Sequence, residues 1–272
     1  MSRRAASPAP PADFIVTKAH RRFVEFCDAC RRYRYIGLCH GVPGVGKTLS
    51  ARRYARWDVV EAPASYYLAC EDVPQAFVTE RTIVYTPSVA NAPRQVERTV
   101  QGLRRRVNAL AIRALQAQDA DGPGEAGRLP DLIIVDEADR LKMAGLEQMR
   151  DLYDQGNMGL IFIGMPGLEK RLARYAQLYS RVGFVHQFRT LSTEEMQFIL
   201  AHKWAQLGLT LAQDDFTDAE AVAAIVRITG GNFRLIQRLF TQIERLLQIN
   251  AMRTVTKEVV EAARESMIVG PL

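Results

Sequence analysis

Residues 41–48, Gly-Val-Pro-Gly-Val-Gly-Lys-Thr, constrain the fold of this chain more than any other segment. They match the pattern G-x-x-x-x-G-K-[ST] at every fixed position, and that pattern wraps a phosphate group between a strand and a helix. The preceding apolar run, 35–39, suits a buried parallel strand, and residues 48–56 suit a helix. The segment therefore predicts an α/β domain with a phosphate-binding loop rather than a chance glycine-rich turn.

Each residue type in this phosphate loop has its own task. The glycines let the backbone curl so that successive N–H groups face a polyphosphate. Lys47 supplies a point charge for the β- and γ-phosphates, and the Thr48 hydroxyl is a hard oxygen ligand suited to Mg²⁺. The helix that opens at Lys47 adds its positive dipole end. The loop residues expected to contact the nucleotide are Gly41, Pro43, Gly44, Val45, Gly46, Lys47, Thr48 and Leu49.

A pair of acidic residues supplies the second half of the predicted site. Residues 132–135, Leu-Ile-Ile-Val, suit a buried strand, and Asp136 and Glu137 emerge at its carboxyl end. Asp136 is placed to hold Mg²⁺ together with Thr48. Glu137 is placed to orient and deprotonate a water that attacks the γ-phosphate. ATP and Mg²⁺ are therefore the predicted cofactors, and the glutamate favours hydrolysis over phosphorylation of a substrate.

Strand and helix patterns alternate along the first two thirds of the chain. Further strands are predicted at 82–86, 131–135, 160–163 and 182–188, with helices at about 18–34, 91–118, 144–155 and 167–178. Residues 57–81 are ambiguous, and Ser65–Cys70 suits either a strand or an insertion. Near-continuous apolar strands that alternate with helices predict a central parallel sheet covered on both faces.

The pattern becomes purely helical near residue 190. Capping boxes at Ser192–Glu195 and Thr217–Glu220 precede helices predicted at about 193–207, 217–229, 232–250 and 256–267. We therefore expect three parts. These are a Pro/Ala/Ser-rich unstructured arm (1–13), a nucleotide-binding α/β domain (14–189) and a small all-helical domain (190–272).

Net charge and the lack of long apolar segments indicate which partners and which compartment to expect. The 272 residues carry a net charge of +6, which suits a nucleic-acid partner but equally a soluble protein with surplus arginine. No stretch approaches the roughly 20 apolar residues of a membrane helix, and the first residues lack the apolar core of a secretory signal. We expect a cytoplasmic protein without a membrane partner.

Two of the four cysteines, Cys27 and Cys30, have the spacing of a metal or redox motif. With Phe23 and Phe26 they also fall on one face of the helix predicted at 18–34. No second C-x-x-C or paired-histidine motif follows. A packing role is therefore the better interpretation of both thiols.

Taken together, the phosphate loop, the stretch 135–141 and the helical tail resemble an AAA+ ATPase over roughly residues 15–267. Segments 136–141 (Asp-Glu-Ala-Asp-Arg-Leu), 162–166 (Phe-Ile-Gly-Met-Pro) and 229–234 (Thr-Gly-Gly-Asn-Phe-Arg) are similar to the TniB/TnsC/MuB group of transposition ATPases. The resemblance implies an AAA+ P-loop domain followed by a helical lid domain.

The resemblance also implies roles for further residues. Arg181 matches the arginine finger that acts on the neighbouring subunit's nucleotide, which implies head-to-tail homo-oligomers; Arg171 and Arg174 are competing choices. Arg234 matches the second sensor, which reaches the γ-phosphate from the helical domain. Where the family places a first-sensor Asn or Thr, this chain has Met165, which cannot donate a hydrogen bond from its side chain. Slow ATP turnover is therefore expected.

In the transposition group, the helix after the second strand faces the pore of a helical assembly and follows DNA. Guanidinium groups there suit phosphate contacts without sequence preference. A solvated helix face is an equally good interpretation, and Arg31–Arg34 is a second candidate. The residues that the resemblance assigns to DNA are Arg94, Arg98, Arg104, Arg105 and Arg106, with Arg113 farther along.

The resemblance implies an ATP-dependent regulator of DNA transposition that selects target sites and recruits a transposase. Its partners would be double-stranded DNA, the transposase and other copies of itself, in an oligomer or filament. Alternatives are a replication initiator or loader, and an ATPase of a secretion or signalling assembly without a DNA role. A small-molecule kinase is a further alternative, against which Glu137 and the helical tail argue.

Overall fold

The computed structural model of the chain describes residues 14–62, 76–79, 81–116, 130–212 and 214–267. The arm predicted at 1–13 lies outside the described residues. So do the stretch 65–70, for which a strand or an insertion was expected, and the loop predicted at 122–127.

A five-stranded parallel sheet forms the centre of the molecule. Its strands are β1 (Ile36–His40), β2 (Thr82–Tyr85), β3 (Leu132–Val135), β4 (Gly159–Gly164) and β5 (Val182–Gln187). They lie in the order β2-β3-β4-β1-β5. All five predicted strands are confirmed, with ends that differ by at most one residue. The inner strands β3 and β4 are buried along their whole length, as their unbroken apolar sequences predict.

Helices connect the strands and continue alone after β5. Those before and between the strands are α1 (Lys18–Tyr33), α2 (Lys47–Tyr54), α3 (Trp57–Glu61), α4 (Ala76–Thr79), α5 (Pro93–Gln116), α6 (Met143–Gln155), α7 (Leu168–Leu172) and α8 (Ala176–Tyr179). Those after β5 are α9 (Thr193–Gln206), α10 (Phe216–Thr229), α11 (Phe233–Ile249) and α12 (Lys257–Glu265). The predicted α/β class, with a parallel sheet followed by helices, is confirmed.

Two apolar cores stabilise these elements. One spans the sheet and its helices, from Phe23 to Phe188, and the other lies among α9–α12, from Met196 to Ala263. Cys27 and Cys30 belong to the first core, which confirms the packing role expected for them. Burial raises the pKa of the Cys30 thiol to about 12, so it stays protonated at neutral pH. No helix among the described ranges is both long and apolar enough to cross a membrane.

The helix predicted at 167–178 is instead two short helices, α7 and α8. In one straight helix Leu178 would lie about 80° around the axis from Leu168. Both leucines are buried, and the break at 173–175 lets each reach the core. No glycine or proline lies at this break, so the sequence pattern did not predict it.

Two capping predictions had different outcomes. Ser192 and Glu195 form the predicted reciprocal box at the start of α9. The box expected at Thr217 is wrong, because α10 begins at Phe216 with Asp215 as its cap. The Asp215 carboxylate accepts the N–H of Asp218 at 3.1 Å, and an acidic cap also suits the helix dipole.

Candidate active site

The phosphate loop leaves the carboxyl end of β1 and runs directly into α2, as predicted. Gly46 is the N-cap of α2 and has a φ of 101°, a backbone conformation that a residue with a side chain rarely adopts. A Cβ atom at this position would meet no heavy atom within 4 Å. Gly46 is therefore required for its backbone conformation, and the space in front of it is open to a phosphate.

The other two glycines of the loop allow close packing rather than phosphate approach. A Cβ at Gly41 would lie 2.5 Å from the carbonyl oxygen of Phe188. One at Gly44 would lie 2.4 Å from the Asn232 side-chain oxygen and 2.8 Å from the Cβ of Arg234. The sequence pattern alone did not reveal these reasons, because each partner lies far along the chain.

Lys47 lies against the carbonyl groups of its own loop. Its ammonium donates to the carbonyl oxygens of Gly41 and, at 2.9 Å, Val42. Burial lowers the pKa of Lys47, while the nearby carboxylates of Asp136 and Asp139 act in the opposite direction. The lysine is thus a partly desolvated cation, and a polyphosphate is a stronger acceptor for it than two neutral carbonyls.

The acidic loop, residues 136–141, begins where β3 ends. Asp136 is 3% exposed, and its carboxylate accepts the backbone N–H of Glu137 at 3.0 Å. Glu137 has a left-handed backbone, with φ 51° and ψ 43°, which is uncommon for a residue with a side chain. Its carboxylate pairs with the Arg140 guanidinium, which also donates to the Pro87 carbonyl at 3.2 Å. The pair holds Glu137 at the mouth of the site.

Asp139 is a site residue that the sequence pattern did not predict, although it lies in the acidic loop, residues 136–141. Its carboxylate accepts the backbone N–H of Met165 at 2.7 Å. It approaches Gly164 so closely that a Cβ there would lie 2.4 Å from the Asp139 oxygen. Asp139 therefore fixes the end of β4, next to Met165, the position at which the resemblance led us to expect a first sensor.

One cavity of about 330 Å³ gathers most of the predicted residues. Lys47, Thr48, Asp136 and Glu137 line it from the carboxyl edge of the sheet, and Arg234 lines it from the start of α11. Of the predicted loop contacts, Gly41 and Val45 are not among its lining residues. The remaining lining residues are Pro43, Gly44, Gly46, Leu49, Asp139, Gly164, Met165, Phe233, Gln237 and Arg238.

The first turn of α11 is hydrogen-bonded directly to the phosphate loop. The Asn232 amide donates to the Pro43 carbonyl at 2.8 Å, and the Arg234 N–H donates to the Gly44 carbonyl at 3.0 Å. The Asn232 oxygen also caps α11 through the N–H groups of Arg234 and Leu235. These contacts hold Arg234 at the cavity, and Asn232 was not among the predicted site residues.

A second cavity, of about 340 Å³, adjoins the first and shares Gly46, Leu49, Phe233 and Gln237 with it. Most of its lining is apolar, but it includes three polar side chains that are more than nine-tenths buried, His20, Ser50 and Lys203. Its other lining residues are Phe14, Ile15, Thr17, Ala19, Val45, Phe188, Arg189, Leu191 and Gln206.

The three candidate finger arginines lie in different environments. Arg181 immediately precedes β5, at the amino edge of the sheet, and binds the Asp154 carboxylate through two contacts of 2.7 and 3.0 Å. Arg171 donates to the backbone carbonyls of Asp139 and Leu141 and so holds the acidic loop. Arg174 is exposed, and no described residue forms a hydrogen bond or ion pair with its side chain.

The arginines of α5 do not form a single stripe. At 100° per residue, Arg94, Arg98 and Arg105 lie within about 40° of one another, and all three are exposed. Arg104 and Arg106 lie about 80° and 120° away from Arg94. Arg106 donates to the Ala62 carbonyl at 2.6 Å.

The residues around the first cavity fit a nucleoside triphosphate with Mg²⁺. The Thr48 hydroxyl and the Asp136 carboxylate line one cavity and are both hard oxygen ligands. Lys47 from α2 and Arg234 from α11 add positive charge to this cavity, and the amino end of α2 lies beside it. The open space in front of Gly46 leaves room for the phosphates.

Comparisons with known proteins agree with this geometry. A family model described as an AAA domain matches residues 30–172. The chain is 45% identical over 266 residues to a potential ATP-binding protein of Staphylococcus aureus, a match that covers 95% of this chain and 97% of that protein. It is 24% identical over 238 residues to the Mu-like prophage FluMu DNA transposition protein B of Haemophilus influenzae, covering 84% and 71% of the two chains. The solved structure of the Thermotoga maritima RuvB Holliday junction branch migration motor is similar in fold, with a TM-score of 0.58 at 16% identity over 93% of this chain and 70% of that chain.

Proposed function

The chain belongs to the AAA domain family, and we propose that it is an ATPase that binds DNA and regulates DNA transposition. The observation that carries the ATPase part is the cavity where Lys47, Thr48, Asp136 and Glu137 face Arg234. The transposition part is supported by the similarity to the transposition protein B of Haemophilus influenzae and is less direct.

ATP would lie with its phosphates in the first cavity and its base in the second. Lys47 and the N–H groups of the loop would bind the β- and γ-phosphates, and Arg234 would contact the γ-phosphate from α11. Thr48 and Asp136 would hold Mg²⁺, which neutralises charge on the phosphate oxygens when bound. The second cavity, of about 340 Å³, has room for the base, and the four lining residues that it shares with the first connect the two.

Glu137 would act as the general base for hydrolysis. To reach a water near the γ-phosphate it must exchange its pairing with Arg140. The neighbouring Met165 side chain offers no hydrogen-bond donor to that water. Both features favour slow hydrolysis, and slow turnover suits a regulator that must stay assembled while ATP is bound.

Assembly would be head to tail, with Arg181 acting on the nucleotide of the next subunit. Arg181 immediately precedes β5, at the edge of the sheet opposite the phosphate loop and a strand length of about 15–20 Å away from it. It therefore cannot reach the nucleotide of its own subunit. Loss of the γ-phosphate would remove the contacts of Arg181 and Arg234, so ATP and ADP would stabilise different assemblies.

Duplex DNA would bind along α5 through the exposed stripe of Arg94, Arg98 and Arg105. Three guanidinium groups on one helix face suit phosphates along a DNA backbone, with an affinity that falls as salt rises. Arg104 and Arg106 point to other sides of the helix and would contribute less. A DNA-bound, ATP-loaded oligomer could then recruit a transposase to the target.

Electron microscopy and salt titration of duplex DNA binding test this function together. With a non-hydrolysable ATP analogue we expect ordered oligomers on DNA, and with ADP we expect dispersed protein. Changing Arg94, Arg98 and Arg105 to alanine should reduce the slope of log affinity against log salt by about 0.9 per lost contact. Three exposed arginines of the helical tail, Arg245, Arg253 and Arg264, provide the matched control triple.

Some results would contradict the proposal. Equal DNA affinity in the α5 triple variant and the wild type would reject α5 as the DNA-binding element. ATP hydrolysis with no DNA binding under any nucleotide condition would reject the role in transposition and leave an ATPase without a DNA partner.

A further inference from the structure

We propose that Arg238 is a further catalytic residue: its guanidinium donates hydrogen bonds to the γ-phosphate and supplies the donor that the Met165 side chain lacks. The inference rests on the proposed ATP site and concerns its phosphate end. Arg238 and Met165 both line the first cavity, together with the acidic pair Asp136 and Glu137.

The helix α11 presents two neighbouring rows of side chains to the two cavities. Phe233 and Gln237 line both cavities, whereas Arg234 and Arg238 line only the first. Around the helix axis, Arg238 lies about 40° from Arg234 and about 140° from Phe233. Arg238 is therefore turned farther from the second cavity than Arg234 is. Since the proposed base lies in the second cavity, the γ-phosphate would lie at the opposite end, on the side to which Arg238 is turned.

The guanidinium of Arg238 is available to a ligand. Its side chain is exposed, and no residue in the described ranges forms a hydrogen bond or ion pair with it. Arg140, beside the same site, is instead paired with Glu137. A guanidinium stays charged at neutral pH and offers several N–H donors in a planar fork that matches phosphate oxygens. Arg238 can thus bind a phosphate without first breaking a contact within the described part of the chain.

The charges around the first cavity also favour a role for Arg238 in binding an anion. Without Arg238, three carboxylates would face two cations, and an anionic triphosphate would enter a cavity of net negative charge. With Arg238 the two signs are balanced, and bound Mg²⁺ adds further positive charge. The cations are Lys47, Arg234 and Arg238, and the carboxylates are Asp136, Glu137 and Asp139.

Hydrolysis develops charge at the position where Arg238 would donate. The oxygen of the attacking water forms a bond to the γ-phosphorus, Glu137 takes a proton from that water, and the bond from the γ-phosphorus to the bridging oxygen of ADP breaks. The products are ADP and inorganic phosphate. Negative charge is spread over the γ-phosphoryl oxygens in the transition state. Hydrogen bonds from Arg238 that strengthen at this stage lower the barrier rather than only tightening the binding of ATP.

The test is single-turnover hydrolysis of γ-labelled ATP by the full chain with Mg²⁺ and duplex DNA, with ATP and ADP affinities measured on the same samples. We expect Arg238→Gln to slow hydrolysis by about 10²–10³-fold, the effect of removing one donor to a developing charge. ATP affinity should fall much less than the hydrolysis rate, and ADP affinity and the melting temperature should be unchanged.

Arg245→Gln is the matched control. Arg245 is exposed on the same side of α11 as Arg238, about 10 Å farther along the helix, and it is not among the residues that line the first cavity. This variant should hydrolyse ATP like the wild type. Equal hydrolysis rates in Arg238→Gln and Arg245→Gln would overturn the inference while the ATP site stands.

Met165→Asn tests whether Arg238 compensates for the methionine. Asparagine would present a side-chain donor to the same cavity. We expect Met165→Asn to raise the hydrolysis rate more in the Arg238→Gln protein than in the wild type, because the wild type already has a donor to the γ-phosphate. A gain that is no larger in the Arg238→Gln protein would overturn the inference.

Two further outcomes separate this inference from the proposed function. Duplex DNA binding should be measured for Arg238→Gln with a non-hydrolysable ATP analogue, and we expect it to equal that of the wild type. Loss of DNA binding in parallel with hydrolysis would overturn the inference, because it would place Arg238 in the DNA contact. Failure of the wild type to bind ATP would overturn both the inference and the proposed function.

Discussion

The Asn232 amide donates a 2.8 Å hydrogen bond to the Pro43 carbonyl, and this contact joins α11 to the phosphate loop. Gly44 makes the contact possible, since a Cβ at that position would lie 2.4 Å from the Asn232 oxygen. This hydrogen bond ties the position of α11, and therefore of Arg234, to the backbone that is expected to bind phosphate. We expect nucleotide binding and the placement of the helical tail to be coupled through this bond.

Asn232→Asp tests that coupling. Aspartate keeps the oxygen that caps α11 but replaces the amide donor with an oxygen that repels the Pro43 carbonyl. ATP affinity should fall at least several-fold, while the free energy of unfolding should change by less than about 1 kcal/mol. Nucleotide titration and urea unfolding measure the two effects. Equal ATP affinity in the variant and the wild type would show that the contact has no part in binding.

Glu137→Gln should separate binding of ATP from its hydrolysis. Glutamine keeps the size of the side chain but cannot accept the proton of the attacking water, so hydrolysis should fall by about 10²–10⁴-fold. Phosphate release and nucleotide affinity should be measured on the same sample. Glu147→Gln is the control, because Glu147 pairs with Arg150 on α6, away from the cavity. Full activity of Glu137→Gln would assign the general base elsewhere.

Arg181→Ala should abolish ATP hydrolysis, because Arg181 is proposed to act on the nucleotide bound by the neighbouring subunit. A Lys47→Ala subunit retains Arg181, and an Arg181→Ala subunit retains its phosphate loop, so mixing the two inactive proteins should restore part of the activity. Arg174→Ala is the comparison, because Arg174 is a competing candidate and is more exposed than Arg181. Restoration in mixtures with Arg174→Ala, and full activity of Arg181→Ala alone, would make Arg174 the finger.

His186 should make the fold sensitive to acid. It lies against Phe23, Phe26 and Phe188, with ring centroids 4.9–5.9 Å away. Burial, with smaller contributions from Arg22 and His40, lowers its pKa from 6.5 to about 4. Between these values the unfolded chain binds a proton that the folded chain does not, so stability falls as pH drops from about 6.5 towards 4.

His186→Phe isolates this contribution from other titrating groups. Urea unfolding of wild type and variant at pH 7.5 and pH 5 should show a smaller loss of stability in the variant. The same loss in both proteins would mean that His186 does not control acid stability.

Local sequence patterns predicted the strands, loops and helices that depend on residues adjacent in the chain. The run 41–48 predicted the strand, loop and helix around it, and residues 132–137 predicted a buried strand that ends in the acidic pair. Contacts between distant segments were beyond such patterns. Asp139, in the acidic loop after β3, contacts Met165 after β4, and Asn232 contacts Pro43, which lies 189 residues earlier in the chain. Lys203 belongs to an ordinary helical sequence, and only the fold reveals that it is buried beside a cavity.

Backbone breaks without glycine or proline were equally hidden. The division of α7 from α8 depends on packing of Leu168 and Leu178, and the left-handed Glu137 has no signature in its sequence. The division of the chain at residue 190, the DNA contacts of α5 and the finger role of Arg181 stay predictions.

Calorimetric titration of the full chain with a non-hydrolysable ATP analogue, with and without Mg²⁺, tests the central claim most directly. We predict saturable binding at one site per chain that is strengthened by Mg²⁺ and lost in Lys47→Ala. Absence of binding to the folded wild-type chain, or undiminished binding by Lys47→Ala, would contradict a triphosphate site between the phosphate loop, Asp136 and Arg234.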